Sequence, residues 1–401
     1  MSYRFIFVLF LSFNFKAQVN NLPVKILNLS NEEFLLIDSI ANSSTLIGLG
    51  ESTHGTSEFT VLRKEIFQHL VEKHHFNTFF LEADYNACAR VNRYIHGSND
   101  DAKEALYEVK LWPWLTQEML DLVEWMRSYN FQNDNRLSFV GCDMQLIIDD
   151  ALELPRFLDQ NEEFKELRTH LPNLDFDSKD SNLLQSRKKE WSQFANSFLE
   201  KFSAENALIV NSVSQWFECE VLKVKNYNFR DSCMATNIVE YLTANPSSKG
   251  IYFAHNGHVG KIYNEVKNEQ YSQKRAGHYL DLALKEKYYT IALDFVEGNF
   301  NAINYVEDEF LMQEFTAKRS RLFLATKVMK RHNSAKFVSA DSLTKNKKIK
   351  VHFIGAIFGK SKEGYTIGSF RWIPKRYFDA YIFIKKGTAT KLLTMKALKA
   401  S

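Results

Sequence analysis

The chain has 401 residues, of which 45% are hydrophobic and 14% are aromatic, so it is long enough to bury a sizeable core. Its 51 basic and 48 acidic residues leave a formal net charge of +3. This near balance, without a clustered basic footprint, argues against a nucleic-acid partner. The four cysteines form no C-x-x-C pair, which disfavours zinc fingers and thioredoxin-type redox chemistry.

The first residues have the composition of a secretory leader. Arg4 precedes an apolar stretch at 5–13, and the small residue Ala17 offers a cleavage point. The apolar stretch is shorter than the ~20 residues that span a bilayer. We therefore predict a signal peptide at 1–18, a periplasmic or secreted location, and no stable membrane insertion after removal of the leader. A buried first strand or helix is the alternative interpretation.

Short apolar runs recur along the chain and are typical of strands that are buried on both faces. They lie at 45–49, 78–81, 137–140, 250–253, 288–293, 351–354 and 380–384. Helical patterns separate several of them, with apolar residues at three-and-four spacing over 57–74 and 116–129. This alternation predicts an α/β fold with a mostly parallel central sheet flanked by helices.

Residues 150–245 break the alternation. They contain no convincing strand, and 181–200 and 206–242 have the pattern of long amphipathic helices. We predict a helical insertion at about 150–245 inside one hydrolytic α/β domain that runs from 19 to 401. Cys219 and Cys233 fall in the second of these helices, too far apart to face each other, so we expect free, mostly buried thiols.

Ionisable residues directly follow three of the predicted strands. They are Glu51 and His54 after the first run, Glu82 and Asp84 after the second, and His255 and His258 after the fourth. In open α/β sheets, ligands bind in the crevice beyond the carboxyl ends of the strands, so these residues are expected to share one pocket. Carboxylates and imidazoles are the groups that hydrolysis and proton transfer require.

The first of these clusters is the sequence G-E-S-T-H-G at 50–55. Its glycines let the backbone turn sharply and approach a ligand closely. Ser52 or Thr53 is expected to cap the following helix, which would place Glu51 and His54 at a helix N-terminus that favours an anion or oxyanion. Taken alone, His54 is equally well explained as a turn histidine satisfied by the backbone.

The second cluster has two carboxylates at two-residue spacing. In an extended segment, Glu82 and Asp84 would point to the same face, where two like charges raise one pKa or recruit a cation. A solvated strand end is the alternative. Asp143 repeats the pattern of an acidic residue after the third predicted strand.

The third cluster is H-N-G-H, in which His255 and His258 flank Asn256 and Gly257. Two histidines at this spacing can bind a metal, or they can polarise a carbonyl and stabilise an oxyanion. The helical H-E-x-x-H zincin motif is absent, so no cofactor is firmly implied and a divalent metal stays an open alternative. Two unrelated loop histidines are the simpler interpretation.

Templates for a protein nucleophile are missing. The chain has no G-x-S-x-G elbow and offers no obvious serine or cysteine nucleophile. His54 is therefore better interpreted as the base that activates a water molecule than as half of a catalytic triad.

Together, these motifs resemble the erythromycin esterase family. The resemblance rests on G-E-S-T-H-G at 50–55, L-E-A-D at 81–84 with A-R-V-N-R-Y at 89–94, R-D at 230–231 with M-A at 234–235 and Asn237, and A-H-N-G-H at 254–258, in matching order and spacing. It spans roughly residue 48 to the C-terminus. It implies an α/β core with a helical insertion, and hydrolysis of an ester or lactone by an activated water. A macrolide substrate does not carry over, because many members are not resistance enzymes.

The resemblance also implies roles for individual residues. His54 matches the general base, and the other matching active-site positions are Glu51, Arg63, Glu82, His255 and His258. The leading hypothesis is a secreted hydrolase of a small-molecule ester or lactone, in which Glu51 or Glu82 orients His54. His255, His258 and Arg63 would hold the oxyanion, and Asp84 would support the site.

Two other hypotheses stay open. One is a metal- or haem-binding protein without turnover, whose ligands would be His255, His258, Glu82 and Asp84. The other is a transferase that uses the same site, with an acyl or sugar acceptor in place of water.

Overall fold

The computed structural model describes residues 29–145, 154–155, 158–159, 162, 165–172, 181–199, 204–221, 227–261, 274–306, 309–332, 334–343, 347–359 and 368–393. The predicted signal peptide at 1–18 lies outside these ranges. The strands are β1 (Leu46–Leu49), β2 (Thr78–Asp84), β3 (Ser138–Asp143), β4 (Gly250–Phe253), β5 (Tyr288–Val306), β6 (Glu309–Ala317), β7 (Ala335–Ser339), β8 (Ile349–His352), β9 (Ser369–Trp372) and β10 (Ala380–Gly387).

The helices lie between and beside these strands. They are α1 (Asn31–Ser43), α2 (Ser57–His74), α3 (Tyr85–Ile95), α4 (Ala102–Tyr107), α5 (Gln117–Gln132), α6 (Lys165–Thr169), α7 (Ser181–Leu199), α8 (Ala204–Val221), α9 (Tyr227–Ala244), α10 (Asn256–Val259), α11 (Ala276–Leu284), α12 (Leu324–Val328) and α13 (Pro374–Tyr377). None of the helices in the described ranges is long and apolar enough to cross a membrane.

The central sheet has the strand order β3-β2-β4-β1-β5-β10-β7. Strands β3, β2, β4, β1, β5 and β10 run parallel to their neighbours in this order, β7 is antiparallel at the edge, and β6 pairs antiparallel with the second half of β5. The sheet is therefore mostly parallel, which confirms the predicted fold class.

The reversal of strand order places a crevice between β1 and β4. After β1, the chain crosses to β2, which lies on the far side of β4. After β4, it crosses to β5, which lies on the far side of β1. In the register of these strands, Phe253 lies beside both Leu49 and Leu81. The residues that follow these three positions emerge at the same edge of the sheet, where open α/β folds bind ligands.

Each face of the sheet is covered by its own core. Ile47 and Leu49 pack with helices α1, α2, α3 and α5 on one face, whereas Leu46 packs with α9 and α11 on the other. Helix α2 has the bounds that the sequence predicts and buries the predicted stripe, which includes Phe59, Leu62, Ile66, Phe67, Leu70 and Val71. Burial of each such side chain contributes about 1.5–3 kcal/mol to the free energy of folding, so packing fixes the position of α2 against the sheet.

The insertion at 150–245 is helical in its described parts, as predicted, but the single helix predicted at 206–242 is wrong. Two helices, α8 and α9, occupy this stretch. Residues 222–226 lie outside the described residues, and their sequence contains no Pro or Gly that would have predicted a helix boundary. Cys219 lies in α8 and Cys233 in α9; both are buried free thiols, although the one-helix reason for that prediction does not hold.

The apolar run at 351–354 was also misplaced by the sequence pattern. Its strand, β8, pairs with β9 in a separate two-stranded sheet and does not join the central one in the described structure. Strands β6, β7 and β9 were not predicted. They pair antiparallel at edges or outside the main sheet, where one face stays in contact with solvent and the continuous apolar signal of a buried parallel strand is absent.

Candidate active site

The loop between β1 and α2 carries the first cluster. Helix α2 starts at Ser57 with Thr56 at its N-cap position, so the predicted capping by Ser52 or Thr53 is wrong. The Thr53 hydroxyl instead accepts a hydrogen bond from the Gly55 N–H at 3.0 Å. Before the helix begins, the backbone of Gly55 pairs with Asn301 of β5: the Asn301 N–H donates to the Gly55 carbonyl at 3.0 Å.

Gly55 is required by this close approach. A Cβ atom at this position would lie 1.9 Å from the Asn301 carbonyl oxygen, which is backbone and cannot move aside. The second glycine of G-E-S-T-H-G therefore lets the loop lie against β5 and holds His54 over the sheet edge.

Glu51 connects the imidazole of His54 to the guanidinium of Arg63. Its Oε1 lies 2.7 Å from His54 Nδ1, and its Oε2 accepts a hydrogen bond from Arg63 Nη2. Glu51 and Arg63 are fully buried, while His54 keeps 8% of its surface exposed. His54 is thus the end of this chain of contacts that reaches the crevice. Of the two carboxylates proposed to orient His54, Glu51 makes the contact.

Arg63 is held entirely inside the protein. Its Nη1 donates to the Leu49 carbonyl at 3.1 Å, its Nε donates to the Phe59 carbonyl at 3.3 Å, and its Cζ lies 3.1 Å from the centre of the Phe253 ring. Burial lowers the pKa of Arg63 to about 10, against the opposing effect of Glu51, so the side chain stays charged at neutral pH. This geometry assigns Arg63 to Glu51 rather than to a substrate oxygen.

Glu82 lies at the end of β2 and joins residues from three other parts of the chain. Its Oε2 accepts the His255 backbone N–H at 3.0 Å, and its Oε1 lies 3.0 Å from Arg230 Nη2 and 3.2 Å from His258 Nε2. Burial alone would raise the pKa of Glu82, but His258, Arg230 and His54 outweigh it and hold the pKa well below its usual range. Glu82 is therefore an anion at neutral pH.

His258 bridges two carboxylates. In addition to Glu82, its Nδ1 contacts Asp231 Oδ1 at 2.7 Å. Asp231 also accepts the Ala276 N–H at 2.8 Å and pairs with Arg275 at 3.0 Å. Burial opposes ionisation of Asp231, but His258 and Arg275 lower its pKa. Because both ring nitrogens of His258 face carboxylates, this residue holds Glu82 in place and contacts Asp231 behind it.

His255 is a neutral imidazole. Its Nδ1 accepts the Gly257 N–H at 3.1 Å, which leaves the proton of a neutral imidazole on Nε2. Burial, followed by the charges of His54 and His258, holds the pKa of His255 well below its usual range, although Glu82 and the Ser52 carbonyl act in the opposite direction. No side chain in the described part of the chain forms a hydrogen bond with Nε2. The ring centre lies 5.3 Å from that of His54, so a donor is available beside the base.

Asp84 lies at the same edge of the sheet as Glu82, after a shift of register in β2 between Leu81 and Asp84. Asp84 occupies the N-cap position of α3 and is fully buried, and its backbone pairs in register with Asp143.

Arg230 is the main site residue to which sequence reasoning gave no role. From α9 it reaches Asp143 with Nε at 2.9 Å and Nη2 at 2.5 Å, and it reaches Glu82 with Nη2 at 3.0 Å. Burial would lower its pKa, but Asp143 and Glu82 raise it well above the usual value. Its only signal was the R-D pair within the family motifs.

Trp114 closes the site from the α4–α5 connection, and no sequence signal pointed to it. Its indole N–H donates to the Glu82 carbonyl at 2.9 Å, and its ring meets that of His54 edge-on with centres 5.5 Å apart. The indole is almost fully buried and so limits the rotation of the imidazole.

These features define the protein as an open α/β protein whose switch-point crevice holds histidines and carboxylates arranged for proton transfer. The chain belongs to the erythromycin esterase family, because the family model described as "Erythromycin esterase" matches residues 71–387. This confirms the resemblance stated from the motifs. Glu51, His54 and Arg63 precede the matched range.

Two proteins of Escherichia coli are similar to part of the chain. Erythromycin esterase type I is 25% identical over 114 residues, which is 28% of this chain and 27% of that protein. Erythromycin esterase type II is 25% identical over 113 residues, which is 28% of this chain and 26% of that protein. The matches thus span about a quarter of the length of these relatives. Family membership supports a hydrolase with a small-molecule substrate at the level of the family.

Solved structures share the fold over most of the chain. A succinoglycan biosynthesis protein has a TM-score of 0.74 at 20% identity and covers 92% of this chain and 95% of its own. A protein from Bacillus cereus has a TM-score of 0.72 at 20% identity, covering 91% and 94%. A mutant of the erythromycin esterase EreC in its open conformation has a TM-score of 0.68 at 17% identity, covering 92% and 97%. At these identities the likeness shows the fold alone.

Proposed function

We propose that the protein is a hydrolase that cleaves a carboxylic ester or lactone of a small molecule, with a water molecule activated by His54. The observation that carries this proposal is the chain of contacts from Arg63 through Glu51 to His54 Nδ1, which ends at the one member that is open to the crevice. Membership of the erythromycin esterase family supports the reaction class.

The contacts of Glu51 determine which nitrogen of His54 acts as the base. A carboxylate only accepts hydrogen bonds, and the second oxygen of Glu51 already accepts one from the guanidinium of Arg63. The proton of a neutral His54 ring therefore lies on Nδ1, where it is donated to Glu51 at 2.7 Å. Nε2 keeps its lone pair and can take a proton from water in the crevice.

The reaction follows from these positions. His54 Nε2 takes a proton from water, the oxygen of the resulting hydroxide bonds to the ester carbonyl carbon, and the carbonyl oxygen becomes an oxyanion. The Nε2–H of His255 has no side-chain acceptor among the described residues and is the donor for that oxyanion. When the tetrahedral intermediate collapses, the bond to the alcohol oxygen breaks and His54 returns the proton to that oxygen, which yields an alcohol and a carboxylic acid. The acid then loses its proton to solvent water and leaves as the carboxylate.

The other groups hold this arrangement. Glu82 fixes the backbone N–H of His255 and the ring of His258, and Arg230 fixes Glu82. These contacts also disfavour the alternative of a metal or haem site on His255, His258, Glu82 and Asp84. A cation at Glu82 Oε1 would have to displace both Arg230 and His258.

The test is a panel of esters and lactones assayed with the wild type, His54→Asn and the control His96→Asn. His96 is an exposed histidine at the end of α3. We expect His54→Asn to lower kcat by about 10²–10⁴-fold, as is typical for loss of a general base, and His96→Asn to leave it unchanged. Hydrolysis by His54→Asn at the wild-type rate would overturn the proposal.

Isotope labelling separates hydrolysis from transfer. In ¹⁸O-enriched water, hydrolysis places one ¹⁸O atom in the acid product. A transferase supplied with an alcohol or sugar acceptor would give an unlabelled ester of that acceptor instead.

We also propose that the protein is exported, with residues 1–18 as its signal peptide. The support is the order of Arg4, the apolar stretch at 5–13 and Ala17. Cell fractionation and N-terminal sequencing of the full chain test this. A protein that stays in the cytoplasm with Met1 at its N-terminus would contradict it.

A further inference from the structure

A second group of potential metal ligands lies away from the candidate active site, between α1 and α2. Asp38 belongs to α1, and His69 and His74 belong to the last turns of α2. Of the residues that the structure describes, this is the one group of three His, Cys, Asp or Glu side chains whose ligand atoms all lie within 4.8 Å of one another. None of the three takes part in the contacts of the candidate active site.

The three side chains converge on one carboxylate oxygen. Asp38 Oδ1 lies 2.5 Å from His69 Nε2 and 2.7 Å from His74 Nε2. The three side chains are between 12% and 29% exposed, so they are ordered by packing yet open to ions from solvent. The Phe34 ring lies against His69 with centres 4.6 Å apart and restricts its rotation.

We propose that Asp38, His69 and His74 bind one Zn²⁺ ion, with water in the remaining coordination position. Imidazole nitrogen and carboxylate oxygen are ligands that Zn²⁺ prefers, and two His with one carboxylate is a known protein ligand set. Each of the three residues offers its ligand atom to the same small volume, and the two helices supply them from opposite sides.

The distances fit an ion after a small movement. Zn²⁺ binds nitrogen and oxygen at ~2.0–2.1 Å in a tetrahedron, so ligand atoms that share it stand about 3.3 Å apart. The present separations of 2.5 and 2.7 Å need to widen by only about 0.6–0.8 Å, which small rotations of partly exposed side chains can provide.

Such an ion would connect α1 to α2 and stabilise their packing. In the described chain, α1 is the first helix, and its other end is held by Glu33, which contacts the Phe337 N–H at 2.9 Å. A metal that binds the folded state and not the unfolded one stabilises it in proportion to its affinity. Zn²⁺ at this position would therefore stabilise the folded chain.

Metal binding by the purified, chelator-treated full chain tests this proposal. Zn²⁺ titration by calorimetry should give one site per chain in the wild type and raise the midpoint of thermal unfolding. Asp38→Asn and His69→Gln should each weaken binding by about 100-fold or more, since even partners outside the ligand set typically cost 10–100-fold. The matched control is His75→Asn, which removes the adjacent exposed histidine and suits its left-handed backbone (φ 58°).

A second pair of variants separates this site from the candidate active site. Glu82→Gln and His258→Asn should leave Zn²⁺ binding unchanged. Loss of binding in these two variants, with retention in Asp38→Asn, would overturn the proposal and assign the metal to the crevice. Absence of stoichiometric binding in the wild type would also overturn it, and would leave Asp38 as a hydrogen-bonding partner of two histidines.

Wild-type protein alone provides an independent measurement if a variant fails to fold. In crystals soaked in Zn²⁺, data collected at the zinc absorption edge should give an anomalous peak bounded by Asp38, His69 and His74. A peak elsewhere with none at this position contradicts the proposal.

Discussion

Nδ1 of His54 lies 2.7 Å from Oε1 of Glu51, and the carboxylate is fully buried while the imidazole reaches the crevice. This relationship fixes both the orientation of the ring and the position of its proton. A histidine held in this way is prepared to accept a proton at Nε2 without any rearrangement when the substrate binds.

Glu51→Gln tests the role of this contact. The amide can turn its NH₂ group toward Nδ1, which favours the tautomer with the proton on Nε2 and removes the base. We expect kcat for ester hydrolysis to fall by about 10²–10⁴-fold, with a smaller change in KM. The comparison is with Glu124→Gln, an exposed residue of α5. Equal kcat values for the two variants would exclude Glu51 from the mechanism.

Arg63→Met tests the stability of the buried pair. The variant leaves the Glu51 carboxylate buried without its cation, and breaking such a pair typically costs about 3–5 kcal/mol. The control Arg90→Met breaks the partly exposed pair with Glu108, for which about 0–1 kcal/mol is expected. Chemical denaturation measures both changes in the free energy of unfolding.

The double variant Glu51→Gln with Arg63→Met completes the cycle. Because the two side chains contact each other, the double variant should lose less free energy than the sum of the single changes. Additive losses would mean that Arg63 stabilises the fold through Leu49, Phe59 and Phe253 and not through Glu51.

The parallel part of the fold could be predicted because its signals are local. Strand β4 and helix α2 have the predicted bounds, since continuous burial on two faces and a one-sided apolar stripe each leave a mark on consecutive residues. The edge strand β7 leaves no such mark, and the break between α8 and α9 carries no Pro or Gly.

The residues of the candidate site also divide into those with a local sequence signal and those without one. Glu51, His54, Glu82, His255 and His258 come together at one sheet edge because they lie at or just after the carboxyl ends of strands that run parallel. Arg230 could not be assigned, since it arrives from a helix 148 residues after Glu82 and no spacing rule connects them. The shift of register before Asp84 could not be predicted either, because no Gly or Pro in β2 indicates it.

The buried neutral state of His255 predicts a pH dependence of stability. Its folded pKa lies well below the usual value of 6.5, so below pH 6.5 the unfolded chain binds a proton that the folded chain does not. The free energy of unfolding should therefore fall as the pH drops from 6.5 toward 4.5, by at most about 1.4 kcal/mol per pH unit. His255→Asn should lack this contribution, as seen by subtracting its denaturation curves from those of the wild type.

Glu65→Gln is the control of opposite sign. Burial raises the pKa of Glu65 from 4.5 to about 7, so the folded chain binds the extra proton and the wild type loses stability as the pH rises through this interval. The variant should therefore gain stability relative to the wild type between pH 4.5 and 7. Wild-type and His255→Asn curves that stay parallel from pH 4.5 to 6.5 would contradict the neutral state of His255.

Arg230→Lys tests whether the guanidinium positions the site through Glu82. An ammonium group cannot hold both oxygens of Asp143 and also reach Glu82, because it lacks the planar fork of the guanidinium. Loss of one charge-assisted hydrogen bond is worth about 1.5–3 kcal/mol, so we expect kcat to fall by about 10–100-fold. The control is Arg319→Lys, at an exposed residue of the chain. Rates are measured on protein shown by circular dichroism to be folded, because a purely structural role would lower the unfolding midpoint while leaving kcat of the folded fraction unchanged.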